Sequence, residues 1–155
     1  MRRAVPAEVG ELTELCRAAK AHWGYPPEWI EAWADSLRIT SGTLAREEVF
    51  VAVRVEDAVR VGFFSLRRDG DLWWLEHFWI APAHMGQGSG RELFRAAVAI
   101  ARKLGVRRLE IKSDPNAEGF YLRMGARRVG EERYLLLGKH PRELPLLVFD
   151  VMAAG

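Results

Sequence analysis

The sequence predicts an α/β or α+β fold, in which one domain has a mixed, mostly antiparallel central sheet flanked by helices on both faces. Three observations support this class. The chain has 155 residues, enough for one domain with a substantial core, and no repeat or low-complexity linker divides residues 1–155. Hydrophobic residues make up 49% and charged residues 28%, as in ordinary globular domains. Strand-like and helix-like apolar patterns alternate in the order β α α β β β α β α β β.

The N-terminal part is predicted to contain one short strand and two helices. Residues 2–5 form the strand, and Pro6 follows where the first turn of a helix tolerates proline. Residues 7–23 have apolar side chains at helical spacing, which predicts the first helix. A break at Gly24 to Pro27 separates it from a second helix that carries Trp29 to Leu37.

Three strands follow as a meander. They cover residues 48–57, 59–69 and 72–82, and the turns between them lie near Glu56 to Ala58 and at Asp69 to Asp71. Under strict alternation the third strand is apolar on both faces, which is typical of a central strand that is covered on both sides. One face then carries Trp74, Phe78 and Ile80, and the opposite face carries Trp73, Leu75 and Trp79.

The C-terminal half alternates helices and strands. A helix is predicted over residues 92–105, where the apolar positions form one stripe and Gly105 ends the helix. The remaining elements are a strand at 106–112, a short helix at 115–125, and two final strands at 126–137 and 144–151. The segment GKHPRELP, which lies before the last strand, is interpreted as a loop.

Charge and cysteine content exclude several classes of function. The chain has 23 Lys and Arg against 21 Asp and Glu, a net charge of +2, which is too balanced for nucleic-acid binding. Cys16 is the one cysteine, so no internal disulfide can form, and no metal-binding spacing surrounds it. No apolar run is long enough to span a membrane, and no secretory leader is present. We therefore expect a cytoplasmic protein that uses no metal, nucleic acid or membrane.

The segment HMGQGSGREL, residues 84–93, places Gly86, Gly88 and Gly90 directly before a predicted helix. Free N–H groups and the helix dipole at such a position favour bound phosphate, and successive amides from Gln87 to Arg91 can form an anion-binding nest. The spacing fits neither the dinucleotide pattern G-x-G-x-x-G nor the NTPase pattern G-x-x-x-x-G-K-[ST]. The alternative is a tight turn that binds nothing.

The segment WIAPAHMGQGSGRELF resembles the acetyl-CoA-binding motif of the GCN5-related N-acetyltransferase (GNAT) family, Gln/Arg-x-x-Gly-x-Gly/Ala after a strand. Gly88 and Gly90 match the motif glycines, Ile80 matches the end of the strand, and Met85 stands where Gln or Arg is usual. The element order agrees with this family, and the segment AKAHWGYP is similar to the family's connection between the first two helices.

A second motif supports the resemblance. The segment SDPNAEGFYLRMGARRVGE resembles the family's later helix, N-x-x-A-x-x-x-Y-x-x-x-G, which packs beside the thiol end of the cofactor. Ala117, Tyr121 and Gly125 match, Asp114 replaces the usual Asn, and Asn116 lies two residues further on. The resemblance implies a GNAT-like fold with acetyl-CoA as cofactor. The implied cofactor-binding residues are Phe78, Ile80, Gln87, Gly88, Ser89, Gly90, Arg91, Asn116 and Tyr121.

Acetyl transfer needs a held cofactor, a neutral amine, a stabilised thioester oxygen and a protonated leaving thiol. The resemblance implies that backbone from Phe78 to Ile80 pairs with the pantetheine arm and that the Ile80 amide polarises the thioester oxygen. Arg91 or Arg95 adds charge near phosphate, or else lies on a solvated helix face.

Glu76 is the predicted general base, because desolvation by Trp74, Phe78 and Ile80 would suit a carboxylate to that role. The alternative is a structural carboxylate paired with a core arginine. His77 is the second candidate for the base, although alternation places it on the other face.

Tyr121 is the predicted acid, because the resemblance places its hydroxyl near the cofactor sulfur; plain core packing is its alternative. Cys16 has no recognisable His partner, so direct transfer in a ternary complex is expected.

The acceptor residues are predicted from an aromatic region between the first two helices. Rings beside a carboxylate, Glu28, would suit a cationic amine with an apolar body. The predicted substrate-binding residues are His22, Trp23, Tyr25, Trp29 and His77. The sequence thus predicts an N-acetyltransferase of a small-molecule or peptide amine. The alternative is a non-catalytic acyl-CoA-binding module of the same fold, and the last strand pair suggests a homodimer.

Overall fold

One seven-stranded sheet organises the computed structural model, which describes residues 1–153. The strand order is β1-β2-β3-β4-β5-β7-β6. The strands are β1 (Arg2–Arg3), β2 (Glu48–Val53), β3 (Arg60–Asp69), β4 (Leu72–Ile80), β5 (Arg108–Lys112), β6 (Arg127–Leu136) and β7 (His140–Asp150). The helices are α1 (Val9–His22), α2 (Pro27–Ala32), α3 (Ser41–Arg46), α4 (Ser89–Lys103) and α5 (Glu118–Met124). Short 3₁₀ turns lie at Pro6–Glu8, Pro82–His84 and Pro115–Ala117.

Helices cover both faces of the sheet, as the sequence predicts. One core lies between the sheet and α4 with α5, and it contains Phe64, Phe94 and Leu147. A second core lies on the opposite face under α1 and α2, and it contains Leu12 and Phe63. The sheet is mixed because β4 and β5 run parallel while the other neighbouring strands are antiparallel. Among the described residues, no helix has the length and apolarity needed to cross a bilayer.

A β-bulge in β4 corrects the predicted faces of this strand. Ser65 pairs with His77 and Leu66 pairs with Leu75, so Glu76 is an extra residue on β4. One inserted residue reverses the alternation of side chains beyond it. Trp73 and Leu75 therefore pack in the same core as Phe78 and Ile80, and the prediction that these two pairs lie on opposite faces is wrong.

The helical boundaries near the N-terminus also differ from the prediction. The first strand is confined to Arg2–Arg3, and Pro6 begins a 3₁₀ turn before α1. α2 ends at Ala32, well before Leu37. The prediction missed α3, whose six residues are too few to show a helical period; its start is fixed by the Thr40 hydroxyl, which accepts a hydrogen bond from the Thr43 amide.

The loop predicted from the segment GKHPRELP is wrong over most of its length, since β7 already begins at His140. Pro141 and Pro145 suggested a loop, because proline cannot donate to a strand ladder. The Pro145 carbonyl accepts a hydrogen bond from the Ser113 amide, so this residue faces the β5 side. Pro141, four residues earlier, faces the same side, so neither ring interrupts the pairing with β6.

Candidate functional site

The glycine turn before α4 combines two left-handed residues with one close contact. Gly86 has φ 76° and Gly88 has φ 82°, values that favour glycine, and a Cβ at either position would meet nothing within 4 Å. A Cβ at Gly90 would lie 3.1 Å from Cε1 of Phe120, so this glycine lets α4 approach α5. Gly86 and Gly88 thus form a turn with open space outside it, while Gly90 serves packing.

The backbone N–H groups from Gly86 to Arg91 donate to no carbonyl within residues 1–153. The first bonded amide of this stretch is that of Glu92, which donates to the Gly88 carbonyl at 3.1 Å. Free amides at the positive end of a 15-residue helix favour an anion. The predicted nest residues Gln87, Gly88, Ser89, Gly90 and Arg91 therefore lie together in one donor-rich turn.

Arginine side chains surround a cavity next to this turn. Arg91 and Arg95 of α4 and Arg123 of α5 line an open cavity of about 530 Å³ between the two helices. Both predicted arginines of α4 are exposed, and Arg102 lines the same cavity, so its lining carries four arginines. Their charge adds to the attraction of the turn for phosphate.

The end of β4 offers unpaired backbone beside the glycine turn. Within the described residues, β4 pairs with β5 only at Trp74 and Glu110, while its pairing with β3 continues to Ile80. The Ala81 amide donates to the Val61 carbonyl of the β3 side at 2.8 Å. By alternation, the N–H and C=O groups of Phe78 and Ile80 point to the opposite edge, toward β5. An extended ligand can hydrogen-bond there.

Tyr121 lies where α5 meets β4. Its ring is buried against Phe78, Phe94 and Phe120, with ring centroids 5.9, 6.2 and 5.3 Å away. Its hydroxyl donates to no group within residues 1–153. Burial raises the pKa of Tyr121, so this hydroxyl keeps its proton at neutral pH.

The surroundings of Glu76 differ from the prediction. Its side chain is 36% exposed, and the Arg67 Nε lies 3.1 Å from its Oε2. The expected desolvation among aromatic side chains is therefore wrong, because the bulge turns Glu76 away from the core that holds Phe78 and Ile80. Glu76 does sit just past the last pairing of β4 with β5, where the two strands separate.

His77 is a structural residue in this geometry. It is buried, its Nδ1 accepts a hydrogen bond from the Trp79 indole at 3.0 Å, and burial lowers its pKa to about 4. A neutral imidazole whose Nδ1 is already occupied is a poor base, and its burial also removes it from the predicted acceptor residues. Cys16 is buried as well, and burial raises its thiol pKa, so the thiolate needed of a nucleophile is disfavoured.

A set of polar and aromatic side chains lies on the α1 face, and we name it the Tyr25 cluster. Its members come from α1, α2, β6, β7 and the segments after α1, α2 and β5. They are Lys20, Tyr25, Trp29, Trp33, Asp114, Asn116, Tyr134 and Arg142.

Tyr25 is the centre of this cluster. Its hydroxyl lies 3.0 Å from an Asp114 oxygen and accepts hydrogen bonds from Asn116 at 3.0 Å and Arg142 at 2.9 Å. Asp114 also binds the Lys20 ammonium at 2.6 Å. The predicted cofactor contact Asn116 is thus engaged with Tyr25 and Asp114. The acidic replacement at position 114 has its counterion in Lys20, which is buried with it.

The structure brings together only part of the predicted acceptor residues. Tyr25 and Trp29 belong to the cluster, whereas His22 and Trp23 are exposed and contact each other outside it. Sequence reasoning missed Lys20, Tyr134 and Arg142. Lys20 and Asp114 are 94 residues apart in the sequence, and Arg142 and Tyr25 are 117 apart, so no local spacing indicates these contacts.

Comparisons with known proteins identify the family and the fold. The model of the acetyltransferase (GNAT) family matches residues 12–126. No curated protein matches the chain in sequence. A structure from Rhodopseudomonas palustris, described as a GCN5-related N-acetyltransferase and class-II aminotransferase, has a TM-score of 0.78 at 20% identity and covers 96% of this chain and 93% of that chain.

Two further solved structures have the same fold. The PaiA N-acetyltransferase of Thermoplasma acidophilum in complex with coenzyme A has a TM-score of 0.75 at 16% identity, with 96% of each chain covered. A putative acetyltransferase from Salmonella typhimurium with its cofactor acetyl-CoA has a TM-score of 0.66 at 20% identity and covers 97% of this chain and 92% of that chain. At these identities the likeness shows the fold.

Proposed function

The chain belongs to the GNAT family of acetyltransferases, and from this premise we propose that it transfers an acetyl group from acetyl-CoA to a primary amine by direct attack. The observation that carries the proposal is the run of free amides from Gly86 to Arg91 beside the unpaired edge of β4. Relatives of the same fold are described with coenzyme A or acetyl-CoA bound, which supports this cofactor.

Different residues of the candidate site have different roles in acetyl transfer. Acetyl-CoA, when bound, supplies an acetyl thioester whose thiolate leaves as the amine nitrogen bonds to the carbonyl carbon. The amides of the glycine turn would hold its pyrophosphate, with Arg91 and Arg95 nearby. The edge groups of Phe78 and Ile80 would hold its pantetheine arm, and the Ile80 N–H would stabilise the carbonyl oxygen. Glu76 takes the amine proton, directly or through water, and Tyr121 gives a proton to the sulfur.

Coenzyme A binding and thiol release test this function. Calorimetry with coenzyme A should show binding, and acetyl-CoA with a panel of amines should release free thiol. Binding without turnover on any amine would instead favour the non-catalytic acyl-CoA-binding module. Absence of both binding and thiol release would contradict the proposal itself.

Gly88→Ala should weaken coenzyme A binding about tenfold or more, because its methyl group enters the space outside the turn that the pyrophosphate would occupy. The matched control is Gly105→Ala at the other end of the same helix, where φ is 78° and the space is equally open. Both variants should lose about 1 kcal/mol of folding free energy from left-handed strain. Equal coenzyme A affinities in the two variants would contradict a ligand at the turn.

Glu76→Gln should lower kcat/KM about 100-fold, because an amide cannot accept the amine proton. Asp69→Asn is the matched control, since Asp69 is a second, more exposed carboxylate paired with Arg67. It should leave kcat/KM unchanged. Steady-state thiol release measures both variants, and wild-type turnover of Glu76→Gln would remove Glu76 from the mechanism.

Two further expectations stay predictions. One is a cytoplasmic location. The other is a homodimer formed through the last strand pair, for which β6, an edge strand, offers unpaired backbone.

A further inference from the structure

The charges of the Tyr25 cluster leave one cation uncompensated. Lys20 and Asp114 neutralise each other at 2.6 Å. Arg142 has no carboxylate within ion-pair distance among residues 1–153, and its partners there are hydroxyl groups, those of Tyr25, at 2.9 Å, and of Tyr134. The cluster therefore carries an excess positive charge, held by a residue that is itself half-buried.

One N–H group of the Arg142 guanidinium also lacks an acceptor. Its Nε is buried and has no hydrogen-bond partner in the described part of the chain. Buried donors are normally paired, so an unpaired one needs an explanation. A carboxylate is the group that best fits a guanidinium, since its two oxygens match the fork of N–H donors.

The aromatic rings of the cluster hold this guanidinium in place. Its central carbon lies 4.9, 5.4 and 5.6 Å from the ring centroids of Tyr25, Trp29 and Trp33. The Lys20 ammonium lies 4.3 Å from the centroid of Trp33. The rings expected to receive a cationic acceptor thus already contact the protein's own cations, which disfavours a second cation there.

One turn of backbone connects the cluster to the helix that carries the proposed acid. Asp114 accepts a hydrogen bond from the Asn116 amide at 2.8 Å and thereby shapes the turn that leads into α5 and Tyr121. On the other side, Tyr134 and Arg142 border an open cavity of about 570 Å³ on the β6–β7 hairpin. Such a volume accommodates an amino-acid-sized compound.

We propose that the acceptor is an amine that also carries a carboxylate, such as a free amino acid, and that Arg142 binds this carboxylate. The proposal rests on the proposed acetyltransferase function and names its substrate class. The carboxylate fills the empty donors of Arg142 and compensates its charge, while the amine of the same molecule reaches the thioester.

Matched acceptor pairs test the proposal. Wild-type protein with acetyl-CoA is given free L-amino acids and the corresponding amino-acid amides, which differ only in the anionic group. We expect kcat/KM to be about 10- to 100-fold higher for the best acid than for its amide. Equal use of acids and amides, or turnover only of amines without a carboxylate, would overturn the proposal.

Variants of two arginines on the same hairpin show whether Arg142 is responsible. Arg142→Gln should lower kcat/KM for the acids much more than for the amides, so that the preference for acids is lost, and Arg142→Lys should keep part of this preference. Arg133→Gln is the matched control, because Arg133 borders the same cavity but is exposed and paired with Glu131 and Glu143. An equal loss on acids and amides would indicate a structural role instead.

The failure of this inference is distinguishable from failure of the acetyltransferase function. Turnover of amines without preference for acids overturns the inference alone. If no amine is acetylated, the proposed function fails, and the inference is judged by binding. Free amino acids should then still raise the melting temperature more than their amides do in the presence of coenzyme A, and an equal shift would overturn the inference.

Discussion

Replacing the Tyr121 hydroxyl with hydrogen is expected to lower kcat about 100-fold or more while the affinity for coenzyme A stays unchanged. Burial raises the pKa of this hydroxyl and keeps it protonated, as a general acid requires. The hydroxyl meets no acceptor within residues 1–153, so no structural hydrogen bond is lost in Tyr121→Phe. The ring contacts with Phe78, Phe94 and Phe120 remain available to phenylalanine.

The leaving group of the donor provides a sharper measurement than rate alone. An acid is needed because an alkyl thiolate is a basic leaving group, so an aryl acetyl thioester with a more acidic thiol should need it less. The rate deficit of Tyr121→Phe should therefore shrink with such a donor. A variant with wild-type kcat on acetyl-CoA, or with the same deficit on both donors, would show that Tyr121 only packs the core.

The order of strands and long helices could be predicted because their apolar periods are local properties. β3 and β4 are apolar runs bounded by turn signals, and α4 carries an apolar stripe at helical spacing; the structure has all three close to their predicted bounds. α3 is too short for such a signal. Pro141 and Pro145 suggest a loop from the sequence, but both lie in β7 on the side away from β6, so the absence of their N–H groups does not interrupt the pairing. The bulge at Glu76 depends on how β4 pairs with β3, which no single strand encodes.

The same distinction between local and long-range features applies to the candidate site. The glycine turn is contiguous in sequence, so its glycines and amides were predictable from residues 84–93. The Tyr25 cluster joins α1, the segment after β5 and the last hairpin, and its charges pair across 94 residues between Lys20 and Asp114. Sequence reasoning could place an acidic residue at position 114 but could not find its counterion, because only the tertiary fold brings them together.

Glu8→Ala is expected to lower the free energy of unfolding by about 3 kcal/mol. Glu8 is 1% exposed, and it accepts hydrogen bonds from Arg2 at 2.9 and 3.0 Å, from Arg60 at 3.1 Å and from the Val5 amide at 3.0 Å. These bonds join the N-terminal strand, the start of α1 and β3. Removal of the Glu8 carboxylate leaves Arg2 and Arg60 without this partner. Because both arginines reach solvent, the loss of stability should lie near the lower end of the range for broken buried ion pairs.

Glu11→Ala is the matched control for Glu8→Ala. Glu11 also pairs with Arg60, but its side chain is 62% exposed, so its loss should cost less than about 1 kcal/mol. Denaturant unfolding of both variants and of wild type measures the two losses. Equal effects of the two substitutions would contradict a special role for the buried carboxylate.

Acid provides an independent measure of the Glu8 contribution. Burial acts against the charge of this carboxylate, but the hydrogen bonds from Arg2, the Val5 amide and Arg60 outweigh it and lower its pKa to about 2. A lowered pKa means that the unfolded chain binds the proton first, so the stabilisation is complete above about pH 4.5 and disappears as pH falls toward 2.

The stability difference between wild type and Glu8→Gln should therefore be constant at neutral pH and shrink over this acid range. His77 contributes its own acid sensitivity to both proteins, so it cancels from the difference. A difference that is independent of pH down to 2 would mean that packing, rather than charge pairing, accounts for the loss.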